Sequence, residues 1–223
     1  MDIVKWLLEG DIAIQYQTWR DLLGQDRREL QNDIAEYGFA KRLLDLQQDD
    51  GHWGGGYYRK KWISTHYTLM ELRRLEVPAN AKIMKAVNRI LDDYREPVDT
   101  DPENRFRWRI SDVCMNGMLI HAFAFFKAEE DKLIPIIDFI LSQQLPDGGY
   151  NCEFNRPGKI TTHSSLHSTL SLIEGMNTYI NQGYTYRKDE MIKQRGEAIE
   201  FLLRHKLFKS DRTGQVIKPS FTM

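Results

Sequence analysis

The sequence predicts an all-α protein assembled from repeated helical hairpins. Three observations lead there. Apolar residues recur at the three- and four-residue spacing of helices along most of the chain. No stretch alternates with the two-residue period of a strand. One stretch also occurs twice. Residues 43–72 read LLDLQQDDGHWGGGYYRKKWISTHYTLMEL, and from Ile140 the chain reads ILSQQLPDGGYNCEFNRPGKITTHSSLHSTLSLIEGM. Each copy closes a helix on Gln-Gly chemistry, passes an aromatic residue and a polar loop, and opens a new helix through Ser, Thr and His. A repeated unit constrains the architecture before any single residue is interpreted.

Residues 1–46 read as N-terminal helices. Ile3, Val4, Trp6, Leu7 and Leu8 form a short amphipathic helix that stops at Gly10. Asp11 is placed to cap a second, carrying Ile14, Tyr16, Trp19, Leu22 and Leu23 and ending at Gly24. Asp26 is placed to cap a third, with Leu30, Ile34, Tyr37 and Leu44 on one face. Residues 47–206 carry the repeats. After the first turn, an inner helix spans 63–75 and an outer one 79–94, separated by Pro78. A Pro- and acid-rich loop then leads to a second inner helix over 108–127 and an outer one over 130–144. The second turn leads to a third inner helix over 162–180 and a last helix over 189–205. Residues 207–223, with Gly214 and Pro219, read as an exposed tail.

The spacing supports a true repeat. Gln48 to Gln144 is 96 residues, twice 48, so a middle unit should open a helix near position 114. Ser111, Asp112, Val113 and Cys114 do stand before an apolar run there. This register sets His66, Cys114 and His167 at corresponding helix entrances. The entrances are rich in small and hydroxylic residues, among them Ser64, Thr65, Gly117, Ser165, Ser168 and Thr169. Such residues let helices approach closely and satisfy the free amides of a helix start.

The paired turns, with Gln47-Gln48 before Trp53 and Gln143-Gln144 before Tyr150, resemble the repeats of squalene and oxidosqualene cyclases and of protein prenyltransferase beta subunits. The resemblance runs from about Ile34 to Met176. It implies an α/α toroid, with inner helices lining a cavity and outer helices wrapping them. It also implies an isoprenoid or other apolar small-molecule ligand. The helices available form fewer hairpins than the family ring. The expectation is therefore an incomplete ring, closed by a homodimer contact or by a partner chain.

In the resembled prenyltransferases, Asp-Xaa-Cys at one inner-helix entrance and His at the next hold zinc. Asp112-Val113-Cys114 matches the first part, and His167 or His163 the second. Thiolate, imidazole and carboxylate suit tetrahedral zinc. Asp112, Cys114 and His167 are therefore the candidate catalytic residues, and with His163 and His66 the candidate zinc ligands. Cys152 and Glu153 fall in the same tier. The plainer reading makes Asp112 a helix cap and Cys114 a small buried apolar residue. Arg59 and Lys61, and Arg107 with its neighbours Arg105 and Arg109, precede helix starts, where cations and free amides suit a phosphate. Together with Tyr67 and Trp108 they are the candidate ligand-binding residues.

Other chemistries find less. The acid motifs of the two cyclase types, Asp-Xaa-Asp-Asp and Asp-Cys-Thr-Ala-Glu, do not occur, and the nearest string is Asp99-Thr100-Asp101-Pro102. A carbohydrate-active α/α barrel would need two opposed carboxylates; Glu71 and Glu153 are available, with nothing to pair them. The 223 residues carry a net charge of −1, which gives no long-range attraction to nucleic acid. Two cysteines are too few for a disulfide framework. No run approaches the ~20 apolar residues of a membrane-spanning helix. These features predict a cytoplasmic protein. An enzyme and a non-catalytic binding or scaffold protein that keeps the repeat fold are both compatible with them.

Overall fold

The computed structural model describes residues 2–58, 60–94, 112–152 and 161–222. Among these the chain is helical, with a single isolated bridge between Lys209 and Val216 and no strand. It divides into two compact units, Met1–Ile90 and Leu91–Met223.

The first unit opens with α1 (Ile3–Leu8) and α2 (Ile12–Gln17). Each begins on an aspartate whose carboxylate accepts first-turn amides. Asp2 serves Val4 and Lys5, and Asp11 serves Ala13. α2 widens into a π-helical turn over Thr18–Leu22. The long third helix of the sequence reading is instead two, α3 (Arg28–Asp33) and α4 (Gly38–Asp45). The break falls at Gly38, whose φ of +68° ends helical continuity; a Cβ there would strike the Asp11 carboxylate. Asp26 does not cap α3. Its carboxylate accepts the Tyr16 hydroxyl at 3.1 Å and pairs with Arg28 at 2.6 Å.

α5 (Thr65–Arg74) ends before Pro78, because Glu76 turns to φ +63° and the Val77 amide returns to the Leu72 carbonyl. α6 (Ala81–Asp93) buries Ile83, Ala86, Val87, Ile90 and Leu91. That set is the one-sided stripe of an outer helix.

In the second unit α7 (Val113–Phe125) is buried on nearly every side, including Asn116, Gly117, Ile120, His121 and Phe123. α9 (Leu166–Asn181) runs beside it in the same direction. The helices meet closely at Gly117 and Gly175: a Cβ on Gly175 would lie 2.4 Å from the Gly117 carbonyl oxygen. Farther along, the His121 Nδ1 and the Thr178 hydroxyl lie 2.6 Å apart. α8 (Glu130–Ser142) and α10 (Lys188–Arg204) are one-sided. α8 buries Leu133, Ile136, Ile137, Ile140 and Leu141. α10 buries Met191, Ala198, Phe201 and Leu202. Glu130 anchors the turn between α9 and α10, accepting the Tyr179 hydroxyl and the Thr185 and Tyr186 amides. Within this unit α7 packs against α9 and α8, and α10 packs against α9.

The last residues are exposed at most positions, yet they are folded. The Ser210 amide reaches the Gln215 carbonyl, and Ile217 returns to Phe208.

Candidate functional site

The two Gln-Gly turns are built alike, bond for bond. The Gln47 amide donates to the Gly51 carbonyl at 3.0 Å and to Lys82 of α6 at 2.8 Å. The Gln144 amide donates to Gly148 at 2.9 Å and to Gln194 of α10 at 3.0 Å. Gly51 and Gly148 share φ +90°. The Trp53 amide donates to the Thr65 hydroxyl, and the Tyr150 amide to the Thr169 hydroxyl, both at 3.0 Å. Each turn thus ties the end of one helix to two later ones, α4 to α5 and α6 in the first unit and α8 to α9 and α10 in the second.

This geometry corrects the register. Gln47, not Gln48, corresponds to Gln144, at a spacing of 97 residues. Thr65 corresponds to Thr169, at 104. The second loop is therefore seven residues longer, and His66 corresponds to Leu170 rather than to His167.

His66 sits one residue into α5 with 3% of its surface exposed. The rings of Tyr57, Tyr58 and Tyr67 surround it edge-on, with centroids 5.1–5.7 Å away. The Tyr57 hydroxyl is 3.4 Å from Nδ1, and Nε2 has no hydrogen-bond partner among the described residues. Burial pushes the imidazole down to about 4, so it is neutral at pH 7. Trp62 packs on Tyr67 at 5.0 Å and is 77% exposed, on a backbone at φ +79°. A bulky residue rarely adopts that conformation. Lys61 is exposed beside it. Arg59 lies outside the described residues, as do Arg107, Trp108, Glu153 and the string Asp99–Pro102.

In the second unit the start of α7 faces the loop after the second turn. Asp112 occupies the N-cap position, and its carbonyl accepts the Asn116 side chain at 3.2 Å. The Cys114 amide, left free by the helix geometry, donates to the Cys152 sulfur at 3.4 Å. That sulfur also lies 3.4 Å from the Ser168 hydroxyl at the start of α9. The two thiols are close enough to perturb each other's titration, and both are partly buried. The Cys114 thiol, as donor to Cys152 and by burial, is held in its protonated form. The Cys152 sulfur accepts from that thiol, from Ser168 and from the Cys114 amide, which together hold it below the ordinary thiol range against the effect of burial.

Two of the candidate histidines, His167 and His163, belong to this unit. His167 is exposed, with its ring edge-on to Phe221 at 5.2 Å. His163 is exposed; its carbonyl accepts the Asn151 side chain, and it lines a cavity of about 540 Å³ with Asp147, His205 and Asp211. Among the described residues, no three His, Cys, Asp or Glu side chains are grouped to hold an ion. Glu71, the described member of the carboxylate pair, bonds to Arg74 at 2.7 Å.

Sequence reasoning placed Cys152 near this tier without pairing it to Cys114. The available signal was its position two residues beyond the aromatic that closes the turn. The cavity by His163 had no such signal, because the tail residues that complete it show no periodicity.

No helix among the described residues is long and apolar enough to cross a membrane. Comparison with protein-family models, with curated proteins and with solved structures gives no match.

Proposed function

We propose that the chain is a squalene cyclase- and prenyltransferase-like repeat protein of the α/α-toroid type that binds an apolar, isoprenoid-like ligand. Binding, not turnover, is the reading preferred. The aromatic entrance of α5 carries it. Trp62, Ile63, Tyr58 and Tyr67 present π faces and aliphatic surface at one helix start, with Trp62 and Ile63 exposed by 77% and 56%. Exposed apolar surface gathered in one place marks an interaction site. The left-handed backbone at Trp62 is kept at a conformational cost, as functional loops often are. Among these rings, the Nε2 of the neutral His66, without a partner among the described residues, offers a hydrogen-bonding position beside the Tyr57, Tyr58 and Tyr67 hydroxyls. The paired Gln47 and Gln144 staples support the repeat reading, since both turns use the same atoms for the same bonds. Lys61, exposed beside Trp62, would meet a diphosphate if the ligand carries one.

Titration of the purified chain with farnesol and with farnesyl diphosphate, followed by calorimetry and tryptophan fluorescence, tests this. Saturable binding of at least one ligand is expected. Trp62→Ala and Tyr67→Ala should each weaken it by about tenfold, the worth of one buried aromatic contact. Saturable binding that both substitutions leave unchanged, or no binding of either ligand, refutes the reading.

A further inference from the structure

We propose that Cys114 and Cys152 form a peroxide-reactive dithiol that closes to an intramolecular disulfide, joining the first turn of α7 to the loop after the second Gln-Gly turn. The two residues are 38 positions apart in sequence and come from different elements, yet the Cys152 sulfur lies 3.4 Å from the Cys114 backbone nitrogen. The Cys152 sulfur is the acceptor of the pair. It receives the Cys114 amide at 3.4 Å and lies 3.4 Å from the Ser168 hydroxyl. A sulfur surrounded by donors at a helix N-terminus is the nucleophilic partner, and the thiol that donates to it is the resolving partner. Neither residue is sealed from solvent. A sulfur this close to the Cys114 backbone is within side-chain reach of the Cys114 thiol, as closure to a disulfide of ~2.05 Å requires.

The chemistry balances with a hydroperoxide as oxidant. The Cys152 thiolate attacks the terminal peroxide oxygen. An S–O bond forms, the O–O bond breaks and hydroxide or an alkoxide leaves. Sulfur gives up two electrons, which reduce the peroxide. Cys114 then attacks the sulfenic sulfur. The S–S bond forms, the S–O bond breaks, and the hydroxyl leaves as water with the Cys114 proton. A thiol reductant returns the disulfide to the two thiols by exchange and is itself oxidised. This reaction is independent of ligand binding at α5.

The test uses the full chain, fully reduced and exposed to stoichiometric hydrogen peroxide. The expected product has lost two hydrogens by intact mass, and a non-reducing peptide map joins the Cys114 and Cys152 peptides. Dithiothreitol should restore the starting mass. The link should raise Tm on the order of 5–10 °C, because it closes a long loop of the unfolded chain. Cys114→Ser should trap a sulfenic acid at Cys152, seen as a dimedone adduct. Cys152→Ser should yield neither adduct nor link, and Ser168→Ala should slow the reaction while leaving both cysteines in place. Oxidation of both cysteines to sulfinic acid without a joined peptide overturns the proposal. So does a disulfide found only between chains, or a pair no more reactive than free cysteine.

Discussion

The contact between α7 and α9 is the packing feature most open to a single-atom test. At Gly175 an added Cβ would sit 2.4 Å from the Gly117 carbonyl oxygen and 3.1 Å from its carbon. An ordinary contact would require the helices to part by about 1 Å. Both atoms struck are backbone, so no side chain can swing away, and overpacking of this kind costs about 1–3 kcal/mol. Alanine returns about 1 kcal/mol of helix propensity. Gly175→Ala should therefore destabilise by up to about 2 kcal/mol, a fall in Tm of up to roughly 8 °C for a chain this size. Gly117→Ala, whose Cβ would meet the Ser171 carbonyl oxygen at 2.6 Å, should behave alike. The double substitution should cost less than the sum, since helices already parted receive the second methyl more easily. Gly196 is the control. It also lies inside a helix, α10, but has no atom within 4 Å of an added Cβ. Gly196→Ala should gain about 0.5–1 kcal/mol. Thermal unfolding of the four variants by circular dichroism decides the matter. If Gly175→Ala stabilises as Gly196→Ala does, the close approach of α7 and α9 is not real.

Three further outcomes follow from the same geometry. His66 titrates near 4 in the fold and near ~6.5 unfolded, so its neutral form stabilises the protein fully above pH ~6.5, and about 3 kcal/mol is lost as pH falls to 4. Chemical denaturation across that range should show the loss, and His66→Phe should flatten it; an equal slope in the variant counts against the buried neutral imidazole. Gln144→Ala removes two hydrogen bonds to carbonyls and should cost about 1–3 kcal/mol, as should Gln47→Ala. Gln143→Ala, whose side chain reaches only the Ser142 hydroxyl, should stay within about 0.5 kcal/mol of the parent; a loss at Gln143 matching that at Gln144 would undo the staple assignment.

Much of the helical order was legible because packing and sequence obey the same period. The stripe Ile83, Ala86, Val87, Ile90 and Leu91 appears in the sequence as it does in the fold. α7 is apolar at most positions, and the structure leaves none of them exposed. The failures came where one residue outweighed the period. The spacing of Leu30, Ile34, Tyr37 and Leu44 looks continuous, but Gly38 takes φ +68° against Asp11 and divides the helix. Asp26 has the right chemistry for a cap, but the Tyr16 hydroxyl and Arg28 engage its carboxylate first. Such competition between local partners is a tertiary fact, and no window of sequence contains it.

The candidate site was less legible for a related reason. A repeat register transfers a residue's role only while loop lengths stay equal. Gln47 to Gln144 is 97 residues, whereas Thr65 to Thr169 is 104, so the alignment that suits the turns fails for the helices. Matching the helix entrances by their Ser, Thr and His residues set His167, 101 residues on, in the role of His66, while the hydrogen bonds set Leu170 there. The added length lies between the aromatic and the helix, in the segment that begins with Asn151 and Cys152. Asn151 folds back on the His163 carbonyl, and Cys152 reaches the first turn of α7. In the first unit the corresponding space after Trp53 holds the three glycines and the tyrosines that enclose His66. The same staple thus presents an aromatic enclosure in one repeat and a thiol in the other. The turn fixes where the loop begins, and the loop's length and composition decide which chemistry meets the helix.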